Sequence, residues 1–184
     1  LEKLHKYTQT LEKEIRNTKA LVETRVAGVL ASLAKHTTNY NHFQDIIDSG
    51  IPLVFFDRIC IGINTDRVVV DDYAGAFAAV EYLIQTGCKR IAFYSSPFHL
   101  EISKNRKNGY MDALRKYGIP VDDSLIKVCD TREEAIIITP EILDRPDRPD
   151  GFFSTNDHCA AGILYACKLA KLKIPQDEIG RAHV

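Results

Sequence analysis

The 184-residue chain lacks the features that mark several classes of protein. No run of about 18 or more apolar residues is present, and no basic segment followed by an apolar one opens the chain, so the sequence shows neither a membrane span nor a signal peptide. Lys and Arg number 24 against 25 Asp and Glu, which leaves no basic surplus for gripping nucleic acid phosphates. We therefore expect a soluble, cytoplasmic, globular protein.

Cysteine patterning excludes a disulfide scaffold. The five cysteines are odd in number and include no CxxC pair, so they are predicted to be reduced thiols. His158 and Cys159 are adjacent and would point to different faces of a helix, so no metal site is predicted there. The remaining histidines lie in polar segments and are predicted to be solvated: His5, His36, His42, His99 and His183.

Sequence signatures of catalysis are also missing. The chain has no GxGxxG after a strand, no GxxxxGK[ST], no GxSxG and no HExxH. We predict that the protein is not an enzyme and needs no cofactor.

Apolar runs of strand length alternate with helical patterns along most of the chain. Such an order is typical of parallel βαβ units with helices on both faces of a sheet, and it predicts an α/β fold. The predicted strands are Val26–Ala31, Leu53–Phe56, Arg67–Val70, Arg90–Tyr94, Leu125–Val128 and Gly151–Phe153. The predicted helices cover residues 1–23, 43–47, 73–86, 103–117, 133–143 and 157–172.

Polar residues follow four of the apolar runs. They are Ser32, Asp57–Arg58, Ser95–Ser96 and Asn156–Asp157. In parallel strands these residues gather at the carboxyl edge, which is where open α/β sheets hold ligands. The pattern predicts a small-molecule receptor.

Several of these groups suit a hydroxyl-rich or planar polar ligand. Asp57 can accept two hydrogen bonds from neighbouring hydroxyls, Arg106 presents a rigid fork of donors, and Asn156 offers donors and an acceptor. Phe55 and Phe56 supply a candidate apolar wall, as ligand sites usually require.

Each candidate has a structural alternative. Asn156 or Asp157 can be the N-cap of the following helix, and Arg106 can lie on a solvated helix face. Asp57 and Arg58 can form an ordinary turn at the end of a strand. Ser32 has the weakest case for ligand contact. The pattern leaves these alternatives open.

Five ordered segments resemble the regulatory domain of the lactose-repressor (LacI/GalR) family of bacterial transcription regulators. They are IPLVFFDR (51–58), VDDYAGA (70–76), YLIQTGCKRIA (82–92), RKNGY (106–110) and STND (154–157). The resemblance runs from about Tyr7 to Gly180. It implies the fold of type I periplasmic binding proteins, with two Rossmann-like lobes and a sugar, nucleoside or purine effector in the cleft.

The resemblance also implies functional residues and partners. It assigns effector contacts to Asp57, Arg106 and Asn156, with Asp157 close by, and we keep Ser32 and Phe56 as further candidates. It implies a homodimer in which the helix starting at Asp157 packs near its counterpart, with candidate contacts at Ala160, Ala161 and Leu164. The small residues 160–162 can equally face the protein's own sheet.

The chain departs from the family pattern at both ends. The family's helix-turn-helix and first strand are absent before Leu1, and the expected apolar strand after Gly180 is replaced by Arg181–Val184. We predict a truncated chain with a partial amino-terminal lobe (1–70), a partial carboxyl-terminal lobe (71–180) and a non-native tail (181–184). Unpaired sheet edges would then make the isolated fragment marginally stable.

The function predicted from the sequence is effector sensing and dimerisation within a DNA-binding regulator. Operator DNA would be contacted through the missing helix-turn-helix. One alternative is a periplasmic sugar-binding receptor of a transporter, which shares the fold and would carry a signal peptide. A second is a doubly wound enzyme with a phosphate-binding loop in the missing segment, for which no residue gives support.

Overall fold

The computed structural model describes residues 10–175 and 179–180, which form alternating strands and helices. In chain order the elements are α1 (Leu11–Glu23), β1 (Val29–Ala31), α2 (Asn41–Asp48), β2 (Leu53–Phe56), β3 (Asp66–Val68), α3 (Asp72–Gln85), β4 (Ile91–Ser95), α4 (Glu101–Lys116), β5 (Ile126–Val128), α5 (Arg132–Leu143), β6 (Gly151–Ser154), α6 (Asp157–Leu169) and β7 (Ile179–Gly180). The predicted tail and the first predicted helical turns lie outside the described residues.

The strands form two parallel sheets, which confirms the predicted α/β fold. The first has the order β1-β2-β3 and the second the order β5-β4-β6-β7. In the first sheet Phe55 is paired with Ala31 and Arg67, and in the second Tyr94 is paired with Ser154. All carboxyl ends of one sheet therefore meet at one edge.

The chain divides into two compact units. The first unit contains the described residues up to Val70 together with His99–Ile102, and the second contains Asp71–Phe98 and the residues from Ser103 onward. The sequence pattern placed a boundary near Val70 but gave no sign that His99–Ile102 belongs to the first unit.

The core of the first unit is built on the inward face of β2. Phe55 is fully buried and its ring meets that of Phe43 edge to face, with centroids 5.0 Å apart. The suggestion that Phe55 forms a ligand wall is therefore wrong, since alternate residues of a strand face opposite sides and Phe55 faces the core. Phe56 is partly exposed.

The core of the second unit lies on both faces of β4, which is buried along its whole length. Phe93 stacks between the rings of Tyr110 and Phe153, with centroids 4.9 and 5.3 Å away. Tyr94 belongs to a second apolar cluster and meets Phe152 edge to face. This alternation explains why β4 carries a continuous apolar run.

A buried carboxylate fixes α1 to the loop after β1. Glu14 is 4% exposed and accepts hydrogen bonds from the backbone N–H of Ala34 and the hydroxyl of Thr37, at 2.5 and 2.6 Å. His42 Nε2 lies 2.9 Å from its Oε1. The prediction that His42 is solvated is wrong, because its ring is only 7% exposed and is held by this carboxylate.

The segment of small residues in α6 packs against another helix of its own unit. A Cβ atom on Gly162 would lie 2.5 Å from the carbonyl oxygen of Arg132 and 2.6 Å from the Cβ of Ala135. Gly162 thus lets α6 approach α5, rather than a sheet. No helix within the described residues is both long and apolar enough to span a bilayer.

Candidate functional site

Residues predicted to contact a ligand fall into two sets, each at the carboxyl edge of its own sheet. Ser32, Phe56 and Asp57 follow or end β1 and β2 of the first unit. Asn156 and Asp157 follow β6 of the second unit, which also holds Arg106 of α4.

In the first set a serine, an aspartate and an arginine contact one another. The Ser32 hydroxyl donates to Asp57 Oδ2 at 3.4 Å, and Arg58 Nε donates to Ser32 Oγ at 3.4 Å. Arg58 Nε also lies 3.8 Å from Asp57 Oδ2. The Asp57 side chain remains 56% exposed, so this carboxylate is accessible at the edge of the sheet.

Asp57 has an unusual backbone conformation. Its φ of +58° is in the left-handed region, and its N–H donates to the carbonyl of Val68 on the neighbouring strand at 3.3 Å. Aspartate tolerates this conformation better than most residues, and such strained positions often lie at ligand sites. Asp57 therefore ends β2 as a turn residue and also turns its carboxylate to solvent.

In the second set Arg106 is held firmly by its own unit. Its Nε donates to Asp72 Oδ1 at 2.9 Å and its Nη1 donates to the carbonyl oxygen of Thr155 at 2.6 Å. Nη2 lies 2.9 Å from the same Asp72 oxygen. With its side chain 14% exposed, Arg106 does not lie on a solvated helix face. These contacts orient the guanidinium at the end of β6.

Sequence analysis missed Asp72 as a partner at this site. Asp71 and Asp72 both looked like caps of α3, but Asp71 is the N-cap and accepts from the N–H of Ala74 at 2.9 Å. Asp72 is 6% exposed and pairs with Arg106. The sequence did contain a clue to this pairing. A helix needs only one N-cap residue, so the second of two adjacent aspartates can have a different role.

Asn156 has the capping role that the sequence left open. Its Oδ1 accepts from the N–H of Cys159 at 2.9 Å, and its Nδ2 donates to Asp130 Oδ1 at 3.0 Å. The Ser96 hydroxyl donates to the same oxygen of Asp130. Asp130, which sequence analysis did not select, thus joins the ends of β4, β5 and β6. Asp157 is exposed beside this cluster.

Chemically, this edge offers carboxylate and amide groups with an oriented guanidinium. Carboxylates accept hydrogen bonds from hydroxyls, and a fixed guanidinium donates to oxygen atoms. Among residues 10–175 and 179–180, no three His, Cys, Asp or Glu side chains are grouped so as to hold a metal ion. The arrangement suits binding of a polar organic molecule.

The predicted dimer residues of α6 differ in exposure. Ala160 is 7% exposed and offers little surface to a partner, whereas Ala161 is exposed and Leu164 is 45% exposed. Tyr165 and Leu169 add further exposed apolar surface to this helix.

Comparison with known proteins places this architecture in a recognised class. The family model for the periplasmic binding protein-like domain matches residues 80–178, which is more than half of the chain. The HTH-type transcriptional repressor CytR of Escherichia coli K12 is 34% identical over 127 residues, which cover 68% of this chain and 37% of that protein. The fold thus defines a periplasmic-binding-protein-like domain.

Two solved structures agree with the fold. A regulatory protein of the LacI family from Chloroflexus aggregans is 28% identical, with a TM-score of 0.78 over 90% of this chain and 60% of that one. The transcriptional regulator CelR in complex with cellobiose is 27% identical, with a TM-score of 0.82 over 93% of this chain and 53% of that one. The chain spans less than two thirds of each of these relatives. It belongs to the LacI/GalR family, as an effector-binding domain.

Proposed function

We propose that this chain is the effector-sensing and dimerising part of a cytoplasmic, DNA-binding transcription regulator. CytR is named as a helix-turn-helix repressor, and the chain matches 37% of its length, so operator binding would be carried by a segment beyond the matched part. The family assignment and the absence of catalytic signatures in the sequence both support sensing rather than turnover.

One observation carries the proposal more than any other: Arg106 is fixed at the carboxyl edge of the second sheet. Its guanidinium is oriented by Asp72 and by the carbonyl of Thr155. Orienting a long side chain before ligand arrives lowers the entropy lost on binding. The arrangement is therefore suited to recognition of a small polar molecule.

Effector contact is proposed for Asp57, Arg106, Asn156 and Asp157, with Ser32 and Phe56 as further contacts. The exposed carboxylate of Asp57 suits a pair of hydroxyls. The partly exposed ring of Phe56 suits the apolar face of a sugar or a base. Together with the cellobiose held by CelR, these groups favour a sugar-like or nucleoside-like effector.

In the proposed mechanism, the effector binds one conformation of a homodimer better than another. That difference in affinity shifts the conformational equilibrium and hence operator binding. No covalent chemistry on the effector is required.

A binding experiment on the full-length protein tests the proposal. Calorimetric titration with cellobiose, ribose, adenosine and adenine covers the sugar, nucleoside and purine classes, and fluorescence anisotropy with genomic operator fragments follows DNA binding. We expect one class to bind and to change operator affinity. Specific binding of a sugar with no DNA binding at any ligand concentration would instead make the protein a transport receptor.

Substitution of single residues tests which of them bind the effector. Asp57→Asn should weaken effector binding by about tenfold or more, since a hydrogen bond to a charged carboxylate contributes about 1.5–3 kcal/mol. Asp144→Asn, at the end of α5, is the matched control. Unchanged effector affinity in Asp57→Asn would remove Asp57 from the site.

A further inference from the structure

Two buried thiols are in contact below the carboxyl edge of the second sheet. Cys129 directly follows β5, and Cys159 lies in the first turn of α6. Both are fully buried, and their Sγ atoms are 3.3 Å apart. A disulfide joins sulfur atoms at about 2.0 Å, so the two sulfur atoms would have to approach by about 1.3 Å to form the bond.

The thiol pair is linked to the proposed effector groups. Cys129 precedes Asp130, whose Oδ1 accepts from Asn156 Nδ2 at 3.0 Å. The N–H of Cys159 donates to Asn156 Oδ1 at 2.9 Å. Cys129 is therefore covalently next to Asp130, and Cys159 is hydrogen-bonded to Asn156, so a change at the sulfur atoms would move the two residues that bond to each other.

The two thiols have different acidities. Either sulfur can donate the hydrogen bond between them. This hydrogen bond lowers the pKa of Cys159 despite burial, and the positive end of the α6 dipole acts in the same direction. The same hydrogen bond and burial raise the pKa of Cys129. Because Cys159 lies in the first turn of α6, where the helix dipole favours a thiolate, we assign it as the nucleophile and Cys129 as the partner that reacts second.

We propose that Cys129 and Cys159 form a reversible dithiol–disulfide site that responds to a hydroperoxide oxidant. The Cys159 thiolate attacks the peroxide oxygen, the O–O bond breaks, and hydroxide leaves to give a sulfenic acid. The Cys129 sulfur loses its proton and attacks the Cys159 sulfur, and water leaves. Overall, two thiols and hydrogen peroxide give one disulfide and two waters.

The residues next to the two thiols in sequence reach the surface. Val128, next to Cys129, is 51% exposed, and His158, next to Cys159, is exposed. Each thiol thus lies one residue along the chain from an exposed position. In reducing compartments, disulfides of this kind are usually transient and redox-sensing rather than structural.

We further propose that formation of the disulfide changes effector affinity, which rests on the proposed function. Formation of the disulfide would draw the loop after β5 toward the start of α6 and disturb the hydrogen bonds of Asp130 and Asn156. We expect the oxidised protein to bind its effector at least about fivefold more weakly than the reduced protein, the lower end of typical allosteric coupling.

Peptide mapping on the full-length protein tests the thiol site without any ligand. Folded protein is treated with hydrogen peroxide, denatured in alkylating reagent and digested. We expect a cross-linked peptide containing Cys129 and Cys159 that disappears on treatment with dithiothreitol. Cys129→Ser and Cys159→Ser should each abolish it, while Cys60→Ser, a buried cysteine of the first unit, should retain it.

Two controls distinguish loss of the fold from absence of the disulfide. Circular dichroism before digestion establishes that the oxidised sample and each variant remain folded. Recovery of Cys129 and Cys159 as alkylated thiols, under conditions that fully oxidise added glutathione, would overturn the redox site.

Coupling is then measured by titrating oxidised and reduced protein with whichever of cellobiose, ribose, adenosine or adenine binds. Equal affinities of the two forms would overturn the coupling alone. A disulfide that forms in a protein binding none of these classes would count against the proposed function and leave the thiol site standing.

Discussion

Arg106 and Asp72 form an ion pair that is almost completely buried in the second unit, with Nε and Nη2 of the arginine each 2.9 Å from one carboxylate oxygen. The side chains are 14% and 7% exposed. Removing one member of such a buried ion pair is strongly destabilising, because the remaining charge stays buried without an opposite charge beside it. The arginine proposed to bind effector is thus also part of the fold.

Replacing Arg106 by alanine should therefore lower stability as well as effector affinity. We expect a loss of about 3–5 kcal/mol in the free energy of unfolding, measured by urea denaturation. The double variant Arg106→Ala with Asp72→Ala should lose less than the sum of the single variants, since no charge is stranded. Arg115→Ala, at an exposed pair with Asp112, is the control and should cost under about 1 kcal/mol. Strict additivity of the two single variants would contradict the coupling.

The glycine between α6 and α5 gives a second prediction. Alanine normally stabilises a helix interior by about 1 kcal/mol over glycine. Gly162→Ala should do the opposite and destabilise by about 1–3 kcal/mol, because its Cβ would meet the carbonyl of Arg132 at 2.5 Å and force the helices apart. The reverse change at the exposed neighbour, Ala161→Gly, should cost only about 1 kcal/mol. Thermal unfolding of both variants checks the contrast.

Ser95 offers a prediction of increased stability. Its Oγ is fully buried at the end of β4 and has no hydrogen-bond partner among the residues that the structure describes. A buried unsatisfied hydroxyl costs about 1–3 kcal/mol, so Ser95→Ala should raise the free energy of unfolding by about 1 kcal/mol.

Ser154, at the end of the neighbouring strand, is the matched control for Ser95. Its hydroxyl is also buried but donates to the carbonyl oxygen of Asn156 at 3.1 Å. Ser154→Ala should lower stability by about 1 kcal/mol. A destabilising effect of Ser95→Ala equal to that of Ser154→Ala would show that the Ser95 hydroxyl also has a partner.

Acid should weaken the first unit through Glu14. Burial raises the pKa of this carboxyl, but hydrogen bonds from His42, Thr37 and the Ala34 N–H together hold it below its ordinary value of 4.5. A lowered pKa in the folded state stabilises the fold above the unfolded value, and this contribution disappears as the pH falls through the folded value.

Comparison with Glu14→Gln isolates that contribution. The glutamine variant should be less stable than the native protein by about 1–3 kcal/mol near pH 7, since it loses charge-assisted bonds to buried donors. The difference should shrink as the pH is lowered from about 5 to about 3 in urea unfolding experiments. A difference that stays constant across that range would rule out titration of Glu14 as the cause.

Sequence patterns predicted the order of elements because each apolar run and helical stripe is local information. Strand β2 has the predicted bounds, and α2 is followed by Gly50 with a φ of +74°, as expected for a glycine stop. Strand β1 is shorter than predicted. Arg25 is left-handed and the N–H of Val26 still bonds to Leu21, so the chain is leaving α1 there.

Contacts between distant side chains were not predictable from such patterns. The pairing of Asp72 with Arg106, the bonds of Asp130 to Ser96 and Asn156, and the burial of His42 all depend on which elements meet in space. Helix α6 also ends three residues before its predicted end, because Lys171 is left-handed and the N–H of Leu172 turns back to the carbonyl of Cys167.

Asp130 links three strand ends through a single carboxylate oxygen, which accepts from both Ser96 and Asn156. Replacing Asp130 would therefore remove the acceptor of both donors at once, the Ser96 hydroxyl and the Asn156 amide. The ends of β4, β5 and β6 would lose a shared link, and the Asn156 side chain, which is proposed to contact effector, would lose one of the bonds that orient it.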